Sequence, residues 1–409
     1  MSQTSLSVLN FDSLLQACAP GGSSVLTSVT ELAPAAGGHG TVAPARFVRG
    51  NEPTYNFSKR FIDGEPAMTV MIDEGQSQRN RGEAALAQAI EDESSPVHGI
   101  VSRLPRIELH YSIGTFSDLT LPHRAFDGHI RAGFVDGKAA VESETYVNAR
   151  NSDQRNARAL LDLSPCTLVF GGWDSTRKSH QGRYRSVLEG EIVGVLADQS
   201  SDHPDQPMKG GARVDPVAMS VQLGKKEMTA LADQQKSEIS DKLYETIIKK
   251  ANAAKNGTSS GSSLGLGGIP PALGSLGGVA CSRIIRSHVL SFATLRQLRF
   301  GGTADGDVAC RAVLAAIGLL AMAMSDEELY LRADCDLVEK EYPVVTLDGR
   351  YGRKTALTPI TVETAGVLLE AALDHAAEAA GVNWHGQTFE VRGNETVIRA
   401  ASADEPQDA

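Results

Sequence analysis

The stretch Ala67–Glu91 reads AMTVMIDEGQSQRNRGEAALAQAIE and decides the fold class. Met68, Val70 and Ile72 alternate up to Asp73, the period-two signal of a half-buried strand. From Gln76 the period changes, and Ala84, Leu86, Ala87 and Ile90 gather on one side of a helix reaching Glu91. The alternation returns in Arg106–Ser112 through Ile107, Leu109 and Tyr111. Ser186–Leu196, Leu329–Arg332 and Tyr342–Leu347 read as further strands. Cys166–Phe170 reads as a short apolar strand closed by Gly171-Gly172. Helices are expected from a Ser152 or Asp153 cap to Leu163, over Lys225–Lys255, over Val308–Met324 and over Thr361–Ala380. Strands and helices mix without a regular βαβ rhythm, which gives α+β rather than a doubly wound sheet.

The chain has 409 residues, 41% hydrophobic and 22% charged, values of a folded globular protein that exclude disorder of the whole chain. No run approaches the length of a membrane span, and Met1-Ser2-Gln3-Thr4 lacks the basic region and apolar core of a secretory signal. A cytoplasmic protein without membrane contact is the expectation. Cys18, Cys166, Cys281, Cys310 and Cys335 are odd in number and widely spaced, so reduced thiols are expected rather than a zinc ribbon or a redox pair. Three regions are expected. Residues 1–64 form a loop-rich entry segment, and 65–350 a core that includes a flexible Gly/Ser loop at 256–278. Residues 351–409 form an acidic helical region ending in Asp404-Glu405-Pro406.

The formal net charge is −11, but from Gly301 onward there are 8 Lys+Arg against 19 Asp+Glu, so all the excess lies in the last quarter. The first 300 residues are neutral, with 31 of each sign, and a neutral body can carry a basic groove if its acids lie elsewhere.

Catalytic and cofactor signatures fail on their context. Gly257–Gly261 and Gly261–Gly265 both fit GxSxG, but lack the apolar strand and following helix of a nucleophile elbow. Gly265-Leu266-Gly267 starts like a dinucleotide loop, but Pro270 replaces its third glycine. Gly137-Lys138 lacks the first glycine and the hydroxyl residue of a phosphate loop. His123, Asp127 and His129 have a ligand-like spacing, but Arg124 inside the group opposes a metal. No catalytic residue, no cofactor and no metal is expected.

Three segments are dense in planar donors. The first, Gln76-Ser77-Gln78-Arg79-Asn80-Arg81, follows a strand, where a helix start and Arg side chains together suit a phosphate, or form a solvated cap. The second is His123–Arg131. Arg124 and Arg131 can bind phosphates and His123 and Phe126 can stack on bases, or Asp127 pairs with one of the arginines. The third runs from Gly171-Gly172-Trp173 to Arg183-Tyr184-Arg185-Ser186. In a strand Arg183 and Arg185 share one face while Tyr184 points inward, or each arginine pairs with Glu189, Glu191 or another acid.

The series consists of SQ-x-NR after a strand, HR-x-x-D-x-x-x-R, GGWDSTR, RYRSVLEGEIVGV, a Gly-rich loop with Ile269-Pro270-Pro271, and LSFATLRQLRFGG. Taken in this order over about residues 65–345, it resembles the backbone subunit of type I CRISPR surveillance (Cascade) complexes. That is the Cas-seven family of the RAMP superfamily, and the nearest lineage is subtype I-G, formerly I-U. The resemblance implies a modified RRM-like (ferredoxin-like) core with large insertions and a protruding thumb-like element. It also implies multiple copies stacked along one CRISPR RNA, leaving the bases open to target DNA, with other Cascade subunits and a recruited helicase-nuclease as partners. The implied role in antiviral defence is non-enzymatic. Contacts that ignore spacer sequence go to phosphates and sugars. The RNA-contact candidates carried onto this chain are Ser77, Gln78, Asn80, Arg81, His123, Arg124, Arg131, Trp173, Arg183, Arg185 and Ser186. The alternative is a RAMP endoribonuclease that processes CRISPR transcripts, with His123 or His129 as its acid or base.

Overall fold

Along Val25–Pro34 (β1) every second side chain from Leu26 through Ser28 and Thr30 to Leu32 is buried, the one-sided burial of a pleated strand. This strand is the centre of the fold, in a computed structural model that describes residues 6–213, 221–254, 257–266 and 269–398. Met1–Thr4, Lys255, Asn256, Gly267 and the Asp404–Pro406 tail lie outside the described residues. The entry segment, expected to be loop-rich, holds helix α1 (Phe11–Cys18), β1 and further short strands. The Gly, Ala, Ser and Pro residues that suggested loops cluster on either side of the strand.

The remaining strands of the sheet are β2 (Phe57–Ile62), β3 (Glu65–Asp73), β4 (Leu188–Leu196), β5 (Cys281–Ser291), β6 (Leu337–Glu339), β7 (Val344–Asp348) and β8 (Lys354–Leu357). Their spatial order is β8-β7-β1-β5-β4-β3-β2, with β6 also on β1, and every pairing is antiparallel. Helix α2 (Gly75–Glu91) leads from β3 to the chain that returns as β4, and a 24-residue helix, Ala304–Glu327, leads from β5 toward β7. Thus β1, α2, β4, β5, the long helix and β7 follow one another as β-α-β-β-α-β. Their strands lie as fourth, first, third and second, the order of a ferredoxin-like split βαβ unit. The class is α+β.

Both crossover helices cover the face of the sheet that holds Arg286 and His288. Gly82 of α2 lies where a Cβ would sit 3.2 Å from Ala321 of the long helix, so the two helices cross on a small residue. Gly190 of β4 leaves space for His288: a Cβ there would lie 2.4 Å from His288 Nδ1. The long helix is apolar enough to cross a membrane by length and composition, but 89% of its most apolar window is buried within the fold. It packs against Val362–Ala380, which Thr361 caps at its N-terminus.

Several local expectations are corrected. Pro165–Phe170 (α3) is a wholly buried helix, not a strand, because a short apolar run with no polar face carries no period. Asp153 caps no helix. Its carboxylate accepts the amides of Arg155 (2.7 Å) and Asn156 (3.1 Å), and the helix begins only at Arg158. Leu329–Arg332 is not a strand, since Arg332 turns inward to Asp73 and the Ile72 carbonyl. Ala84 of α2 is exposed, and Gly82 and Glu83 are buried in its place.

The described chain forms two compact units, Met1–Pro204 with Val279–Asn394, and Asp205–Gly278 with Glu395–Ala409. In sequence the second unit is inserted between β4 and β5. It holds α4 (Lys225–Gln234) and α5 (Asp241–Ala253), where one helix was expected, and Met228, Ala232, Ile247 and Ala251 make its core. Ser240 starts α5 by accepting the Leu243 amide at 3.2 Å. Within the Gly/Ser stretch expected to be flexible, Thr258–Ser260 pairs with Gln222–Gly224, and Ile269–Leu276 pairs with Met208–Arg213. Ladder hydrogen bonds need no side chains, so a low-complexity run can still pair. We label the remaining helices α6 (Ala304–Glu327) and α7 (Val362–Ala380).

Gly190→Val should destabilise the protein by about 1–3 kcal/mol, seen as a lower urea midpoint, because the branched side chain must displace His288. Gly38→Val, where an added Cβ meets nothing within 4 Å, should shift the midpoint far less.

Candidate functional site

The first predicted segment turns inward. Asp73 ends β3 with no exposed side-chain surface. It accepts the Ser77 hydroxyl at 3.0 Å, the Gln78 amide at 2.6 Å and Arg81 Nε at 3.3 Å, and it also binds Arg332. A buried carboxylate is tolerated only when paired and hydrogen-bonded, and α2 starts with the residues that do this. Ser77, Gln78 and Arg81 are therefore structural ligands of Asp73, a correction to their reading as a phosphate cradle. Asn80 is exposed.

The second segment also braces the core. Arg124, 9% exposed and at φ 50°, makes a bidentate pair with Glu83 of α2 and donates to the Gly171 carbonyl at 3.0 Å. Burial lifts the Glu83 carboxyl to about 7, against the opposing pull of Arg124. The Asp127 carboxylate pairs with neither arginine, and Arg131 Nε reaches only the Asp127 backbone carbonyl, at 3.4 Å. Asp127 caps the short Gly128–Ala132 helix, accepting the His129 amide at 2.8 Å and the His123 amide at 3.2 Å. Phe126 is buried and stacks on Tyr184 with centroids 6.3 Å apart, so it is not free to stack on a base. Arg131 is half-buried and donates to the Thr176 hydroxyl, while His123 is exposed.

The third segment is different. Gly172–Trp173 and Arg183–Tyr184 pair as a two-stranded ribbon in which Arg183 and Arg185 are exposed and Tyr184 is buried, as the alternation predicts. The Arg183 guanidinium lies 5.1 Å from the Trp173 ring, and Trp173 is 54% exposed. Ser186 is buried and donates to the carbonyls of Val169 (3.2 Å) and Leu188 (2.6 Å), which removes it from the surface set.

Two adjoining hollows open beside this ribbon and share Gln154 and Tyr184. One, of about 550 Å³, is lined by Asn151, Asp153, Gln154, Arg155, His180, Gln181 and Arg183. The other, of about 260 Å³, is lined by Arg185, Ser291, Thr294 and Gln297 among others. The Arg299 amide donates to the Gln154 carbonyl at 2.9 Å, and the Arg299 carbonyl accepts the Ala157 amide at 2.7 Å. These bonds fix the two loops to each other. Gln154, Arg155, Gln181 and Gln297 were missed as site residues. They were legible only as donors scattered through loops, Gln297 within LSFATLRQLRFGG.

The nearby acids have other partners. Glu189 binds Arg79 and Glu191 binds Arg60 at 2.6 Å, not Arg183 or Arg185. Asp174 binds Arg150 at 2.8 Å, and Asp153 holds its own turn. Among the described residues neither Arg183 nor Arg185 has an ion-pair partner, and the buried Tyr184 hydroxyl has no hydrogen-bond partner. The furrow thus presents the unpaired Arg183 and Arg185 and exposed amide side chains, donors for an anionic chain, beside the Arg155–Asp153 pair.

Among the described residues, Glu108, His110 and Glu390 bring three ligand atoms within 4.8 Å of one another. Arg106 donates to Glu108 at 2.8 Å and His110 binds Glu390, so the group holds itself together as an ion-pair cluster.

Residues 26–199 match the family model described as CRISPR-associated protein GSU0053. The match runs from β1 through β4 and contains Asp73, Glu83, Trp173, Arg183 and Arg185. The matched stretch, less than half of the chain, is similar to that CRISPR-associated family. No curated protein matches the chain.

Arg124→Ala, which removes the cation paired with Glu83, should cost about 3–5 kcal/mol in chemical denaturation above pH 7, where the buried carboxylate would be ionised and unpaired. Burial raises the Glu83 carboxyl to about 7 even with Arg124 present, so the cost should shrink as pH falls through 7 and both proteins hold the neutral acid.

Proposed function

We propose that this chain is the guide-RNA-binding backbone subunit of a type I CRISPR surveillance complex, of the I-G lineage, and that Arg183 and Arg185 grip the sugar-phosphate strand. The observation that carries this reading is the pair of exposed arginines left without acids in a neutral body, beside a furrow of amide side chains. Trp173 holds Arg183 by a cation–π contact and keeps its guanidinium plane presented. Gln154 and Gln297, both exposed, offer neutral donors to phosphate or ribose oxygens, which carry no sequence information. Asn80, His123 and Arg131 remain on the surface as secondary candidates.

In this reading several copies line one CRISPR RNA in the cytoplasm, the bases face target DNA, and other subunits and a helicase-nuclease join the assembly. The unit Asp205–Gly278, inserted between two adjacent strands, is the candidate thumb. The role is non-enzymatic. Of the two histidines either of which a nuclease reading could use, His129 is held by the Tyr111 hydroxyl at 2.8 Å and His123 sits on an exposed turn.

The Arg183→Glu, Arg185→Glu double variant should lower affinity for single-stranded RNA at least tenfold, equally for unrelated spacers. It should also make the salt dependence shallower by roughly two phosphate contacts. Fluorescence anisotropy across a salt series measures both, and parental affinity would remove the furrow from the reading. Metal-free protein incubated with repeat RNA should give no discrete products on a denaturing gel. Discrete products lost in His123→Ala or His129→Ala would establish the nuclease instead.

A further inference from the structure

The turn joining β7 to β8 is Arg350-Tyr351-Gly352-Arg353, and its conformation is unusual for its residues. Tyr351 has φ 60° and ψ 34°, and Gly352 has φ 72°. Two left-handed central residues make the hairpin turn that suits strand twist, which sequences normally fill with Asn-Gly or Gly-Gly. A tyrosine in that conformation is strained. Nothing within the fold offsets the strain, because Tyr351 is 100% exposed.

Beside the turn is a cavity of about 380 Å³ whose lining includes Ser13, Gln16, Gly21, Ser23, Arg350 and Arg353. No carboxylate side chain is among its described lining residues. The closest acid along the chain, Asp348, faces Lys354 at 3.6 Å. Arg350 has no side-chain partner among the described residues, and Arg353 Nε reaches only the Arg350 carbonyl, at 3.3 Å. Gly22 is pressed on the end of α1, where a Cβ would fall 2.2 Å from the Gln16 carbonyl, so the loop forming one wall is fixed. Behind that wall Arg296 donates Nη1 to the Ala17 carbonyl at 2.7 Å, while its Nη2 is buried with no acceptor. Burial, and then the like charge of Arg350, push the Arg296 guanidinium below its ordinary value. A preformed cavity of this kind, with cations, hydroxyls and no acid, attracts an anion of phosphate size.

We propose that this cavity and the Tyr351 tip form a second nucleotide-binding site, in which Arg350 and Arg353 hold a phosphate of single-stranded RNA and Tyr351 stacks on its unpaired base. The site rests on the RNA-binding reading but uses none of the furrow residues. Stacking on one exposed ring is tolerant of base identity, so the site fits a strand bound without regard to sequence.

Tyr351→Gly separates the fold from the contact, because glycine suits the turn better than tyrosine. Full-length protein and fluorescein-labelled single-stranded RNA are used in anisotropy titrations, with a thermal melt for each variant. The Gly variant should melt no lower than the parent and bind RNA roughly fivefold more weakly or worse, while Tyr351→Phe retains binding. The Arg350→Ser, Arg353→Ser double variant should flatten the salt dependence by roughly two contacts. Parental affinity in both the Gly and the double Ser variants overturns the site. If those variants bind like the parent while the Arg183, Arg185 variant does not, this inference falls and the furrow stands. If the hairpin variants weaken binding and the furrow variant does not, the furrow falls and this site stands.

Discussion

Asp73 is a charge placed where water cannot reach it. It sits at the point where β3 becomes α2, and four side chains, Ser77, Gln78, Arg81 and Arg332, converge on its two oxygens. Desolvating a carboxylate is costly, and only a full set of donors offsets that cost. The set comes from the first turns of α2 and from a loop that follows α6. The requirement thereby fixes how α2 leaves the sheet and where the chain after α6 is tied back. The Ile72 carbonyl, bonded to Arg332 at 2.6 Å, draws the end of β3 into the same knot.

The same logic distributes charge over the whole first unit. Glu83 takes Arg124, Asp174 takes Arg150, Glu189 takes Arg79 and Glu191 takes Arg60. Each pair crosses between segments distant in sequence and is at least partly withdrawn from solvent. A region with equal numbers of acids and bases then shows an uneven surface, because its acids are engaged inside or along the sheet while a few arginines are left over. Arg183 and Arg185 are such residues, and Arg350 has no side-chain partner among the described residues although its stretch of chain is acidic. Net charge would not have revealed them, since the field near a surface depends on which charges lack neutralising partners.

Exposed aromatics complete the pattern. Trp173 and Tyr351 both lie on tight ribbons beside unpaired arginines, one paired across strands with Arg183 and the other in a left-handed turn. A large ring kept in water beside cations gains little from folding, so its placement fits a ligand that supplies the missing contacts.

The sequence by itself determined the elements with a clear period and a clear end. These include the strand and helix at 65–91, the strand at 106–111, β4 with its neighbouring arginines on one face, and the two Ala-rich helices, since periodicity is a local property written into neighbouring residues. It also carried the resemblance that the family match over residues 26–199 supports. Local pattern could not reveal the central role of β1, because its place beside β5 depends on residues more than 200 positions away. Nor could it reveal that the apolar run at 165–170 is a helix, or that Gln78 and Arg124 face acids rather than solvent. A side chain's availability to a ligand is decided by which opposite charge the fold brings within reach, and that distance exists only once the chain is folded.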